Sequence, residues 1–309
     1  MHTHWRAGLG FSLTTALMWS LLPLALKEIL TAMDPVTITW YRVSLSALVA
    51  LVWYGYRSGR ELSAMVFSRH CPISLLIVAG LMGNYLLYIW GVDRVTAGAA
   101  QLLIQLAPLI LLLGGVLMFK ESFTRRQWFG LGAGVCGMLL FFHPRMDGSV
   151  ATDARYVEGV IMLIGAAILW SFYGLAQKQL LKRFHAKDIL LLICLSGTLL
   201  MLPWAQPAQI LNLSLWQTLV LLFCGVNTIV AYGAFGLAMS YWEASRVSAV
   251  IAITPLLTLA ITWGLNTFTN AEIPAEPLGL LGSLGALLVV TGSTMVAMAG
   301  RPSDPMKRG

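Results

Sequence analysis

The run GLGFSLTTALMWS, residues 8–20, returns later in the chain as GVIMLIGAAILWS, residues 159–171. Gly8 matches Gly159, Trp19 matches Trp170 and Ser20 matches Ser171; just past the run, Lys27 matches Lys178, each 151 residues on. A second set repeats after 147 residues: Tyr85 with Tyr232, Tyr88 with Phe235 and Pro108 with Pro255. A biased composition produces chance matches, but two sets agreeing to within a few residues point to an internal duplication.

What is duplicated is built for lipid. Of 309 residues, 58% are hydrophobic and 11% charged, against about 25% charged in a soluble domain. So few charges do not coat a globule of this length, whereas stretches of about 20 apolar residues span a bilayer as helices. Ten such segments are expected: 8–29, 35–55, 72–92, 96–118, 126–143, 157–180, 186–204, 215–239, 245–267 and 277–298. The longest connections are then 56–71, 144–156 and 205–214, none long enough for a separate soluble domain.

Charge supplies the orientation. With the N-terminus inside, fifteen of the 20 Lys and Arg fall at cytoplasmic ends; only Lys27, Arg42, Arg94, Arg145 and Arg155 fall at the other. That bias puts both termini in the cytoplasm and makes nucleic acid an unneeded explanation for the net charge of +7. The first apolar stretch is too long for a signal peptide and has a counterpart downstream, so it is expected to stay as a helix. Five helices per half is an odd number. The second half, 149–309, therefore enters the membrane from the side opposite to the first, 1–148. The expected fold is all-α and polytopic, ten transmembrane helices in two inverted five-helix repeats. Secondary transporters use that plan, holding substrate near the midplane between the repeats.

Candidate path residues follow from the repeat. Tyr85 and Tyr88 lie three apart on the third helix, and Asn84 joins Tyr88 at four; Tyr232 and Phe235 are their counterparts. Trp19 and Trp170 are central and symmetric, with packing and substrate contact both open to them; Tyr173 and Gln177 follow Trp170 on the same helix. In AAQLLIQLAPLILLL, residues 99–113, Gln101, Gln105 and Pro108 share one face. Pro108 is expected to leave the Ile104 carbonyl bare and bend the helix, and a face so polar points away from lipid. For the two amides, interhelical hydrogen bonding and cavity lining are both open. Pro108 has a counterpart in Pro255, a symmetric bend, but Gln101 and Gln105 map to Ser248 and Ala252, which makes the amides the better specificity candidates.

Charged groups inform mainly by absence. No Asp or Glu sits clearly at a span centre, where a proton relay or cation site is usual; Glu121, Glu243 and Glu272 fall at loop ends. Arg42, seven residues into its helix, is expected to snorkel outward or pair with Glu28 or Asp34 rather than bind a substrate carboxylate. His143, beside Pro144, is expected to be solvated. Cys71, Cys136, Cys194 and Cys224 show no CxxC and no nearby His at ligand spacing, so neither a disulfide nor a metal site is expected, and no cofactor.

Several motifs together resemble the EamA-like permeases of the drug/metabolite transporter superfamily. Each first helix carries Trp-Ser, and Arg42 follows an apolar-aromatic run. The fourth helices carry QLAPL (105–109) and AITPL (252–256). Glu121 follows in FKESFTRRQWFG, Glu272 in NAEIPAEPLG, and glycines seven apart end each half, Gly130 with Gly137 and Gly285 with Gly292. The resemblance covers nearly the whole chain. It implies export of small metabolites across a bacterial inner membrane through a central cavity, and the aromatic lining is most similar to that of exporters of aromatic and other neutral amino acids. A nucleoside, cofactor precursor or drug is the alternative cargo. The second half departs from the first in having no arginine at the counterpart of Arg42, near Ser196. With no buried acid to attract a bare cation, either the cargo is expected to be neutral or zwitterionic, or transport is a uniport driven by the substrate gradient. A membrane enzyme would need clustered reactive groups, and no HExxH, GxSxG or Walker pattern occurs.

Overall fold

The computed structural model describes residues 2–119, 124–146, 153–242, 247, 250–269, 273 and 279–298. Within them every regular element is helical. The α-helices are α1 His2–Ile29, α2 Pro35–Ala50, α3 Tyr56–Val66, α4 Cys71–Arg94, α5 Ala97–Leu103, α6 Leu106–Phe119, α7 Arg125–Met146, α8 Ala154–Leu180, α9 Ala186–Met201, α10 Leu215–Tyr241, α11 Thr254–Phe268 and α12 Leu280–Met298. Glu121, Glu243, Glu272, Ser248 and the side chain of His143 lie outside the described residues.

Polarity is inverted relative to a water-soluble core. Leu48, Leu139, Ile161, Leu199, Leu222 and Leu287 face outward, while Ser12, Thr15, Ser20, Arg42, Asn84, Gln101, Gln105, Asn227 and Thr258 are buried. Lipid accepts the first set, and the second finds partners only inside the bundle. Six helical stretches among the described residues are long and apolar enough to cross a bilayer unaided, with Ala97–Ile110 and Leu280–Met295 as shorter apolar stretches. The chain is an all-helical, multi-pass membrane protein.

Each of the ten expected segments holds helix, with three differences. The second does not end near residue 55: a π turn, Leu51–Gly55, carries α2 straight into α3. Its charges made the stretch after 55 read as a connection. In fact Arg60 and Ser63 are exposed while Ser58 and Met65 are buried, so the segment is an amphipathic helix. The fourth segment is broken between α5 and α6, and the ninth is broken before α11. The 205–214 connection contains a 3₁₀ turn, Pro207–Asn212.

Caps hold the helix starts where connections are short. The Asp34 carboxylate accepts from the Val36 and Thr37 amides ahead of α2, whose first residue is Pro35. Thr96 caps α5, Asp153 caps α8, and Ser214 with Gln217 forms a capping box at α10.

The closest helix pairings are α7 with α12, α4 with α8 and α1 with α10; α2 packs on both α9 and α10. At the α7–α12 seam, backbone meets backbone. A Cβ on Gly285 would fall 2.5 Å from the Phe141 amide nitrogen and 2.6 Å from the Gly137 oxygen; one on Gly292 would fall 2.5 Å from the Gly130 oxygen. Only glycine fits there.

Candidate functional site

Three prolines prepare the centre of the bundle. Each lacks the N–H that would serve the carbonyl four residues earlier. For Pro108 that carbonyl belongs to Ile104, and it is not bare as expected: the helix tightens, and Ile104 accepts from the Ala107 amide at 2.9 Å while Gln105 donates to Leu102 at 3.2 Å. These i→i+3 bonds make the break between α5 and α6. For Pro255 the carbonyl is that of Ile251, and the Thr254 hydroxyl donates to it. The third is Pro23, inside α1, whose absent N–H frees the carbonyl of Trp19. The side-chain amide of Gln101 donates to that oxygen.

Gln105 makes the matching contact to the other half. Its Nε2 donates to the Ala252 carbonyl at 2.8 Å, in the break that precedes α11. Both glutamines are thus interhelical hydrogen-bond donors, and both also line a cavity; the two roles left open by the sequence coincide. Further buried bonds tie α4 to α8, from Asn84 Nδ2 to the Ala166 carbonyl at 2.8 Å, and α10 to α1, from Asn227 Nδ2 to the Met18 carbonyl at 2.6 Å.

The cavity enclosed by these elements measures about 80 Å³, room for roughly half a dozen waters. Trp19, Leu22, Asn84, Tyr85 and Tyr88 form one side; Gln101, Ile104, Gln105, Ala107 and Pro108 come from the broken fourth segment; Trp170, Tyr232, Ile251 and Thr254 come from the second half. All the residues at the proline-freed carbonyls, Trp19, Ile104 and Ile251, are in this wall.

Repeat counterparts meet each other across it. Trp19 and Trp170 are edge-to-face at 6.2 Å, and Tyr85 and Tyr232 are edge-to-face at 5.8 Å. Trp19 also meets Tyr232 at 5.4 Å. Behind this layer Phe235 packs on Trp19 at 5.5 Å and on Trp170 at 6.0 Å, and Tyr173 packs on Trp170 at 6.2 Å. Of the residues singled out from sequence, Phe235, Tyr173, Gln177 and Pro255 are buried but outside the lining; Tyr173 and Phe235 support it.

One wall residue contradicts its expected role. Arg42 neither snorkels nor pairs with Glu28 or Asp34. Its side chain is 1% exposed, its Nε donates to the Thr228 hydroxyl at 3.3 Å, and its guanidinium lies 4.9 Å above the Tyr85 ring. Glu28 instead accepts from the Trp216 indole at 3.1 Å, and Asp34 turns one carboxylate oxygen to its helix cap. Arg42 Nη1 is buried and has no hydrogen-bond partner among the described residues. Thr254, Leu22 and Ile251 also escaped sequence reading, as did the role of Pro23. The proline was visible in the sequence; that its free carbonyl faces Gln101 depends on tertiary packing.

Comparison with known proteins follows the same outline. The model of the EamA-like transporter family matches the chain twice, over residues 6–143 and 157–298. The chain is 37% identical over 306 residues to an Escherichia coli K12 protein named "uncharacterized inner membrane transporter YhbE", covering 96% of this chain and 93% of that one. It is 22% identical over 300 residues to a Salmonella typhimurium protein named "probable amino-acid metabolite efflux pump", covering 92% of each. A crystal structure of a protein 19% identical shares the fold, with a TM-score of 0.66 over 94% of this chain and 96% of that one.

Proposed function

We infer, because this chain belongs to the EamA-like transporter family, that it is an inner-membrane secondary carrier exporting small neutral or zwitterionic metabolites, foremost aromatic and other neutral amino acids. Ten crossings in two inverted halves, with both termini cytoplasmic, alternate the access of one central cavity. The observation that carries this reading is the wall itself: repeat counterparts Trp19 and Trp170, Tyr85 and Tyr232 face one another across it, and each half adds a broken helix.

The crossed packing of α4 on α8 and of α1 on α10 supports the inverted arrangement, since each joins a third helix of one half to the first of the other. Aromatic faces favour an apolar or π-bearing cargo body, and the Gln101 and Gln105 amides set its polar contacts. The amino-acid class also draws support from the name of the Salmonella relative.

An export screen tests the cargo. Cells overexpressing the protein are loaded with dipeptides and the medium is assayed for released amino acids. Phenylalanine, tyrosine or another neutral amino acid is expected to accumulate outside several-fold faster than in cells carrying an empty vector. Equal release across all of them ends the amino-acid reading. Counterflow in proteoliposomes then separates carrier from pore, because only a carrier exchanges labelled cargo against excess unlabelled cargo.

A further inference from the structure

We propose that Arg42 is the anchor for a carboxylate on the transported molecule, so that the cargo is a carboxylate-bearing small molecule with an aromatic or apolar body. The proposal rests on the central cavity being the cargo site. Four observations meet at this residue. Its side chain is 1% exposed, yet it lines the cavity. Its Nη1 is buried and unpartnered. Its Nε is fixed by Thr228 at 3.3 Å. Among the described residues no carboxylate pairs with it: the Arg94 and Arg155 bridges use Asp93 and Glu158, and Asp188 is held by Ser58 and His185.

A buried cation is ordinarily paired, because an uncompensated one carries a large desolvation cost. Here the rest of the described lining supplies hydroxyls, amides, rings and aliphatic groups but no acid, and the guanidinium is solvated only partially, by Thr228 and by the Tyr85 face. The missing complement is an anion. A guanidinium with its Nε engaged by Thr228 and its buried Nη1 unpartnered matches a planar carboxylate, which takes parallel N–H donors. Trp19, Trp170 and Tyr232 line the same cavity and offer a surface for the remainder of the molecule. Arg42 has no counterpart in the second half, so the site has a polar pole and an aromatic pole, and the cargo binds in one orientation.

The test compares matched probes, with and without a carboxylate, on the full-length protein in lipid nanodiscs, reading apparent affinity from ligand-induced thermal stabilisation. Phenylacetate is paired with phenylacetamide, and phenylalanine with phenethylamine. The carboxylate of each pair is expected to bind at least about tenfold tighter, as loss of a charge-assisted bond implies. Arg42→Gln is expected to erase that difference by weakening the carboxylates alone, and Arg42→Lys to keep part of it. Thr228→Val, which frees Nε without touching the charge, is expected to weaken phenylacetate several-fold and leave phenylacetamide unchanged; it decides the matter if Arg42→Gln does not fold. Equal binding within both pairs, no stabilisation by either carboxylate, or discrimination surviving in Arg42→Gln overturns the proposal. Discrimination with phenylacetate but no binding of phenylalanine supports Arg42 as anchor and removes amino acids as cargo.

Discussion

Gly285→Leu is expected to lower stability by about 3 kcal/mol or more, the upper range for overpacking, and to reduce the melting temperature of the detergent-solubilised protein by about 6 °C or more. The atoms nearest its new Cβ, at 2.5 and 2.6 Å, belong to the backbone of α7. No side chain can turn aside to relieve the contact, so α7 and α12 must move apart along their whole seam. Gly132→Leu is the control. It lies on the partner helix α7, at a position where a Cβ meets nothing within 4 Å, and is expected to melt within about 2 °C of the parent. A melting point for Gly285→Leu equal to that of the control removes the seam as a determinant of assembly.

The second large effect concerns Gln101 and is conditional on a residue 78 positions away in sequence, from 23 to 101. Gln101→Leu strands the Trp19 carbonyl, whose helical partner Pro23 has already removed. An unsatisfied buried acceptor costs about 1–3 kcal/mol. Pro23→Ala returns an N–H to the helix and with it an intrahelical partner for Trp19. Gln101→Leu is therefore expected to be costly in the parent and to cost less than about 1 kcal/mol in the Pro23→Ala background, a coupling read from the four melting curves of a double-mutant cycle. Additive costs would show that Gln101 acts on stability by some route other than the Trp19 carbonyl. Transport separates the other role: if the amide also selects cargo, the double variant regains stability without regaining efflux.

Sequence and structure divide the work unevenly. That the chain is a bundle of membrane helices is legible because lipid imposes one rule on every segment, and composition reports it directly. The duplication is legible too, since Trp19, Ser20 and Pro108 have counterparts at nearly constant spacing. The α3 extension is not, because Arg57, Arg60 and Glu61 carry the charge of a loop. The centre is half legible. Aromatic pairs can be nominated from the repeat alone, and Tyr85 and Tyr232 do meet. What escapes is anything decided by which faces turn toward each other. Arg42 reads as a helix-end cation until α10 brings Thr228, and among the described residues no acid, to its side. Pro23 reads as one proline among several until α5 sets Gln101 against the carbonyl it frees.

Arg42 also makes the protein an electrical object. A charge enclosed between lipid walls senses the membrane potential, about 2.3 kcal/mol per elementary charge for a full crossing of 100 mV. The arginine need not move for this to matter. The field falls across whichever closed barrier separates the cavity from water; in the alternating-access cycle proposed above, that barrier passes from one side of the guanidinium to the other. An empty carrier then shifts positive charge through the field. With a net anion held against Arg42, as the anchor proposal allows, the loaded stroke shifts none on that residue's account and voltage acts on the return stroke alone; a zwitterion, carrying no net charge, leaves both strokes sensitive to it.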